Sequence, residues 1–272
     1  MAGLEKGLHN LHGPRDSWHD EAWSPRKGEG DAALVRLSCS RFSGGVLVSG
    51  EKKSGLDELC SSLCASFIDA LPVTGAALSA FSGSVQETTL CASDDLAARL
   101  DELQFDLGEG PRWEAARTRV PVLVPYVRSM GHEKWPVFGK ALMDSDAQAL
   151  FVFPLVVGAL DIGVVELYST APGTLGETEL VTARALADEA AWSLLRRILV
   201  PDSEHDSPGG GLSPSRREIH QATGMVLAQT GGTAADALLL LRGHAFANGQ
   251  SVRETSNEVL NKRLDFTPPP NR

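Results

Sequence analysis

From Leu56 onward the apolar positions recur with a period. Leu56, Leu59, Cys60, Leu63, Cys64, Phe67 and Ile68 share one helical face, and Pro72 stops that helix after Leu71. Gly75 to Phe81 and Gln86 to Ala92 read as strands, a polar helix follows from about Asp94 to Leu103, and Val120 to Val124 is a short strand. Ala149–Val157 and Leu160–Ser169 are separated only by Gly158-Ala159, a two-residue loop with glycine first, which suits a type II′ hairpin. Beyond Pro172-Gly173 the period changes. Leu180, Ala183, Leu186, Ala187, Ala190, Ala191, Leu194 and Leu195 make a helical stripe to about Leu199, whose small residues could seat a partner helix.

Three short amphipathic helices close the chain. Ile219, Ala222 and Val226 lie on one face of the first, and Ala237, Leu238, Leu241, Ala245 and Asn248 on one stripe of the second. Val252, Thr255, Ser256, Val259 and Leu260 form the stripe of the third. Thr233 with Asp236 and Ser251 with Glu254 stand at N-cap spacing, the latter as a capping box.

Gln221-Ala-Thr-Gly-Met225, Ala237-Leu, Leu241-Arg242, His244-Ala-Phe246 and the final helix resemble an ANTAR domain. The resemblance implies an RNA-binding, transcription-antiterminating module. Upstream, Leu107-Gly-Glu-Gly-Pro111, Trp135-Pro-Val-Phe138, Phe153-Pro-Leu155, Gly163 and Tyr168, in the order helix, strands, loop, hairpin, helix, resemble a GAF domain over roughly Leu56 to Leu195. Together they resemble antitermination regulators of the actinobacterial type. The implied fold class is α+β: a GAF-like antiparallel sheet with flanking helices, then a three-helix bundle. Where many bacterial GAF domains place a cysteine after the glycine-glutamate-glycine-proline run, this chain has Arg112-Trp113.

The resulting organisation is a poorly ordered tail over residues 1–48, a sensor over 49–200, a flexible Pro/Gly/Ser-rich linker over 201–215, the helical module over 216–266 and a disordered tail over 267–272. A net charge of −10 excludes a protein that coats nucleic acid or anionic membrane over its whole surface. Between Leu212 and Phe266, however, six basic residues face five acidic ones, so any phosphate reader sits there. The N-terminus shows no secretory pattern and the longest apolar run, Ala147–Leu160, is broken by Pro154 and Gly158; a cytoplasmic protein without a membrane span is expected. Cys39, Cys60, Cys64 and Cys91 are then expected as thiols, with Cys60 and Cys64 packed in the core. His9, His12 and His19 lack a scaffold of further ligands, and no metal site is expected.

The glycine-rich turn at Gly108 lacks the lysine and Ser/Thr of a P-loop, and neither a cyclic-nucleotide motif nor another cofactor motif is readable. A small-molecule pocket in the GAF-like half would draw on Trp113, Trp135, Phe138, Phe153 and Tyr168, with the ligand unknown. RNA hairpins would be held by Arg216, Arg217, Arg242, Lys262 and Arg263, with His220 available to stack on a base. The expected protein is a non-enzymatic homodimer that senses a small molecule and binds RNA. The alternatives are a GAF-fold thiol enzyme such as a free methionine sulfoxide reductase, which needs an activated thiol and a resolving partner, and a DNA-binding helical regulator, for which Ser251-Val-Arg-Glu supplies only Arg253 as a base reader.

Overall fold

A computed structural model describes residues 55–82, 86–129, 134–199 and 216–268. The expected N-terminal tail with its histidines and Cys39, the expected linker and the last four residues lie outside them. The elements are α1 (Gly55–Ala70), β1 (Gly75–Ser82), β2 (Gln86–Ala92), α2 (Asp95–Leu107), α3 (Pro111–Thr118), β3 (Val122–Val124), α4 (Pro136–Met143), β4 (Ala149–Val157), β5 (Leu160–Ser169), α5 (Glu177–Leu199), α6 (Arg217–Thr230), α7 (Ala234–Asn248) and α8 (Val252–Leu260).

The five strands form one antiparallel sheet in the order β2-β1-β5-β4-β3. β4 and β5 carry almost unbroken apolar text because helices cover both faces of the sheet. Their hairpin closes at Val157↔Leu160 with Gly158 at φ 60, and Ala159 is not among the positive-φ residues, which is the type II′ pattern. At Gly163 a Cβ would collide with the Ser79 carbonyl on the neighbouring strand, so glycine is required by close approach.

One face of the sheet packs on α1 and α5 through Cys60, Leu63, Cys64, Phe67, Phe151, Phe153, Val165, Leu167, Ala183, Ala187, Ala190 and Leu194. The small-residue stripe of α5 is therefore occupied from within. Ala187 is 4% exposed and Ala190 fully buried, which corrects the expectation that this stripe seats a partner helix. A second correction concerns the cysteines: Cys64 on α1 and Cys91 on β2 are joined as a disulfide, where separate thiols were expected.

The other face packs on α2, α3 and α4 through Ala97, Leu100, Ala115, Trp135, Phe138, Leu142, Leu150, Val152, Val164 and Tyr168. A third core unites α6, α7 and α8: Ile219, Ala222, Val226, Ala237, Leu238, Leu241, Ala245, Val252 and Val259 are buried, as the stripes predict, while Asn248 is exposed. Thr233–Asp236 and Ser251–Glu254 are both reciprocal capping boxes. Phe105 of α2 is buried in this third core, so the three-helix module is seated on the outer side of α2. Among the described residues no single helix is long and apolar enough to cross a membrane.

Candidate functional site: a buried charge cluster beneath the C-terminal helices

The glycine-rich turn builds this site. Gly108 ends α2 in the left-handed region (φ 65), donating its N–H to the Gln104 and Phe105 carbonyls. Glu109 accepts hydrogen bonds from the Val137 and Phe138 N–H groups at the start of α4, at 2.7 and 2.6 Å. Gly110 adopts φ 128, where a Cβ would meet the Gln104 side chain, and Pro111 opens α3. The run is a structural clamp. Its product is Arg112, the largest fully buried side chain in the described residues.

Arg112 gathers three carboxylates from three elements. Its Nη1 donates to Asp101 Oδ1 at 2.8 Å and to the Asp101 carbonyl at 2.9 Å, its Nη2 donates to Glu87, and its Nε stands 3.2 Å from Glu166 Oε1. Gln104 accepts the Arg112 backbone N–H at 2.9 Å and donates to Glu166. Asp101 also accepts from the hydroxyls of Ser79 and Thr89, each at 2.6 Å.

A second guanidinium enters from the C-terminal module. Arg216, the residue before α6, is 2% exposed; its Nη2 donates to Asp101 Oδ2 at 2.7 Å and its Nη1 lies 3.7 Å from Glu87 Oε1. It sits 3.9 Å from the Phe105 ring centroid. Arg242 of α7 also stacks there, 4.9 Å from Phe105 and 5.2 Å from Trp113, against the turn that ends α2. Around this pair, the Val252 N–H reaches Asp106 Oδ2 at 3.3 Å, and Arg253 approaches Glu102 and Glu218 at 3.5 and 3.4 Å.

Burial would raise Asp101, but Arg112, Arg216 and the two hydroxyls outweigh it and hold the carboxyl at about 2. Glu166 behaves oppositely. Burial, reinforced by the charges of Asp101 and Glu87, overcomes its contact with Arg112 and pushes it up to about 8. Asp106 rises to about 7 because burial and Glu102 outweigh the Val252 N–H, Arg216 and Arg242. The cluster thus sets three carboxyl groups, from β2, α2 and β5, against two guanidiniums, one of which, Arg216, comes from the C-terminal helices.

The predicted site residues divide accordingly. Arg217, Lys262 and Arg263 are exposed on the module. Arg216 is sequestered in ion pairs and Arg242 is held over two rings, so the expected surface positions of these two are corrected to the interface. His220 is partly buried, with Nε2 3.3 Å from the Glu87 carbonyl, and burial lowers its pKa. Trp135, Phe138 and Tyr168 share the α2–α4 face, but Phe153 pairs with Val165 and points to the opposite one. Trp113 belongs to the module interface, donating its Nε1–H to the Gln104 carbonyl at 2.7 Å. The five aromatic residues therefore do not line one pocket. Glu87, Asp101, Glu166 and Arg112 were missed in the sequence. Glu166 carried the one available signal, a carboxylate inside the apolar strand Val164-Val-Glu-Leu-Tyr168.

Several solved structures align with part of the chain at low identity. A domain of a two-component sensor histidine kinase protein from Sinorhizobium meliloti is 22% identical, with 52% of this chain and 90% of that one covered and a TM-score of 0.43. The GAF domain/HD domain protein of Geobacter sulfurreducens is 17% identical over 56% of this chain and 100% of that one, TM-score 0.44. A type II free methionine-R-sulfoxide reductase from Thermoplasma acidophilum is 14% identical over 52% and 92%, TM-score 0.39. No curated protein matches the chain. The GAF domain model matches residues 53–194, just over half of the sequence, and the chain belongs to the GAF domain family.

Proposed function

We propose that the chain is a non-enzymatic, cytoplasmic regulator in which the GAF domain receives a small-molecule signal and the C-terminal helices, resembling an ANTAR domain, bind RNA hairpins and so keep a terminator from forming. The observation that carries this reading is the core that α6, α7 and α8 build around Phe105, made of residues of the resemblance, with Arg217, Lys262 and Arg263 outward. In the seated arrangement the RNA contacts come from these three; Arg216, His220 and Arg242 would join only on release from the sensor. Pairing of two copies would use the outward side of α5, where Val181, Trp192 and Leu199 are 67%, 56% and 69% exposed.

The test is RNA affinity for one-hairpin and two-hairpin RNAs across salt. Replacing Arg217, Lys262 and Arg263 by Ala should weaken binding and flatten the slope by roughly 0.7 log units for each single-strand phosphate that is no longer neutralised. An RNA affinity untouched by these changes would overturn the assignment. A second reading, a thiol reductase acting on methionine sulfoxide, draws on the Cys64–Cys91 bond with Cys60 one helical turn from Cys64. It requires thiol-dependent turnover of free methionine sulfoxide that Cys64→Ser and Cys91→Ser abolish.

A further inference from the structure

Arg216 occupies a niche that does not belong to its own module. The walls are Asp101 and Phe105 of α2 and Glu87 of β2, all within the GAF half; Arg216 enters at the far end of the connection to α6. Each wall fits a planar guanidinium. Asp101 Oδ2 accepts one N–H at 2.7 Å, Glu87 Oε1 stands beside a second nitrogen at 3.7 Å, and the guanidinium carbon lies over the Phe105 ring, 3.9 Å from its centroid. Glu87, only 4% exposed, keeps Oε2 without a hydrogen-bond partner, and Arg216 Nη1 likewise makes no hydrogen bond. The niche thus retains acceptor capacity that its present occupant leaves unused.

We propose that the Glu87–Asp101–Phe105 niche is the GAF domain's binding site for a small guanidinium or amidinium cation, that Arg216 fills it as an internal surrogate, and that a free cation of this class competes with Arg216 and loosens the C-terminal helices from α2. The proposal rests on reading the GAF half as a small-molecule sensor and is independent of what the helices bind. An ammonium ion of equal charge lacks the fork and the flat face, so selectivity follows from shape as well as charge. The guanidinium of Arg112 already holds Asp101 Oδ1 and Glu87 Oε1, so a further cation is received at Asp101 Oδ2 and beside Glu87.

The experiment uses the full chain and ethylguanidinium as probe, with ethylammonium and urea as controls for charge and for planar shape. Calorimetric titration of Arg216→Ala should show saturable one-site binding. Wild-type protein should bind roughly tenfold or more weakly, because a competitor that fills the site nine-tenths of the time lowers apparent affinity by that factor. Amide exchange on α2 should move in opposite directions: slower with probe in Arg216→Ala, where the niche is refilled, and faster in wild type, where Arg216 is displaced. Asp101→Asn in the Arg216→Ala background should abolish binding. Equal affinity of wild type and variant, equal binding of ethylammonium, or no binding to the variant overturns the site. If Arg216→Ala does not fold, Arg216→Gln, which removes the charge and keeps a polar side chain, is titrated in its place, and the same three outcomes overturn the site. None of these readouts involves RNA, so failure of the RNA assignment leaves the outcome interpretable.

Discussion

The two faces of the sheet solve the same packing problem by opposite chemistry. Toward α1 and α5 the contact is mainly apolar, with Phe151, Phe153 and Leu155 of β4 in one core with Ala183, Ala187 and Ala190 of α5. Toward α2 and α3 the same sheet buries Glu87 and Glu166 against Arg112, and admits a second arginine from outside the domain. An apolar face has many acceptable fillings of similar volume. A buried charge cluster has one occupancy that balances it, and losing a member leaves an uncompensated charge. The first face is suited to holding the fold; the second also helps attach the C-terminal helices, through the Arg216 guanidinium.

The sharpest way to break this comparison is to place charge on the dry face. Ala187→Glu would bury a carboxylate with no partner against β4, and the loss should reach about 3–5 kcal/mol of stability or prevent folding. Urea denaturation of the GAF half checks it. A variant that folds with near-normal stability would show that α5 turns this residue to solvent or to a second copy, contrary to its 4% exposure.

On the charged face the corresponding change is Arg112→Ala, which leaves Asp101, Glu87 and Glu166 facing one another with only Arg216 remaining. A loss of about 3–5 kcal/mol is expected when one partner of a buried pair is removed. What distinguishes it from Ala187→Glu is relief by a second change. Adding Glu87→Gln removes a carboxylate from the cluster and should recover part of the loss, measured as a double-mutant coupling. Strict additivity would mean that these side chains do not act as one cluster.

The sequence disclosed these two faces unequally, for a physical reason. Periodicity reports burial, so the seams of α6 to α8, the β4–β5 hairpin and the α5 stripe were readable to within a few residues. Periodicity does not report what a face is buried against. Periodicity alone therefore offers the α5 stripe to a second copy and groups Phe153 with Tyr168, although strand alternation turns these two to opposite sides. The charge cluster was harder still. Glu87, Asp101, Glu166, Arg112 and Arg216 come from five separate stretches, and ionisable residues ordinarily mark solvent. Sequence alone therefore places Arg216 and Arg242 at the surface. Their burial is decided by contacts with Asp101 and Phe105 more than a hundred residues away.

The smallest effect isolates the seating of the helices from the stability of the sensor. Asp106 lies where α8 meets α2, accepting from the Val252 N–H, with Glu102, Arg216 and Arg242 as the charges acting on it. Its carboxyl sits at about 7 when the module is seated, against an ordinary value of 3.8, chiefly because burial opposes ionisation. A carboxyl whose pKa is raised on association binds protons more tightly in the associated state. Its full contribution to seating is present below the unperturbed value and is lost as pH rises through about 7. Because the side chain is only partly removed from water, the loss should come to roughly 1–2 kcal/mol rather than the full shift. Hydrogen exchange along α2, corrected for the intrinsic pH dependence, should therefore report weaker protection at pH 8 than at pH 5. Asp106→Asn, which keeps an acceptor for Val252 and cannot ionise, should flatten that change and protect α2 at pH 8. If Asn leaves the pH dependence intact, the proton resides elsewhere, and Glu166 in the neighbouring cluster, raised to about 8, is the group to test next by Glu166→Gln.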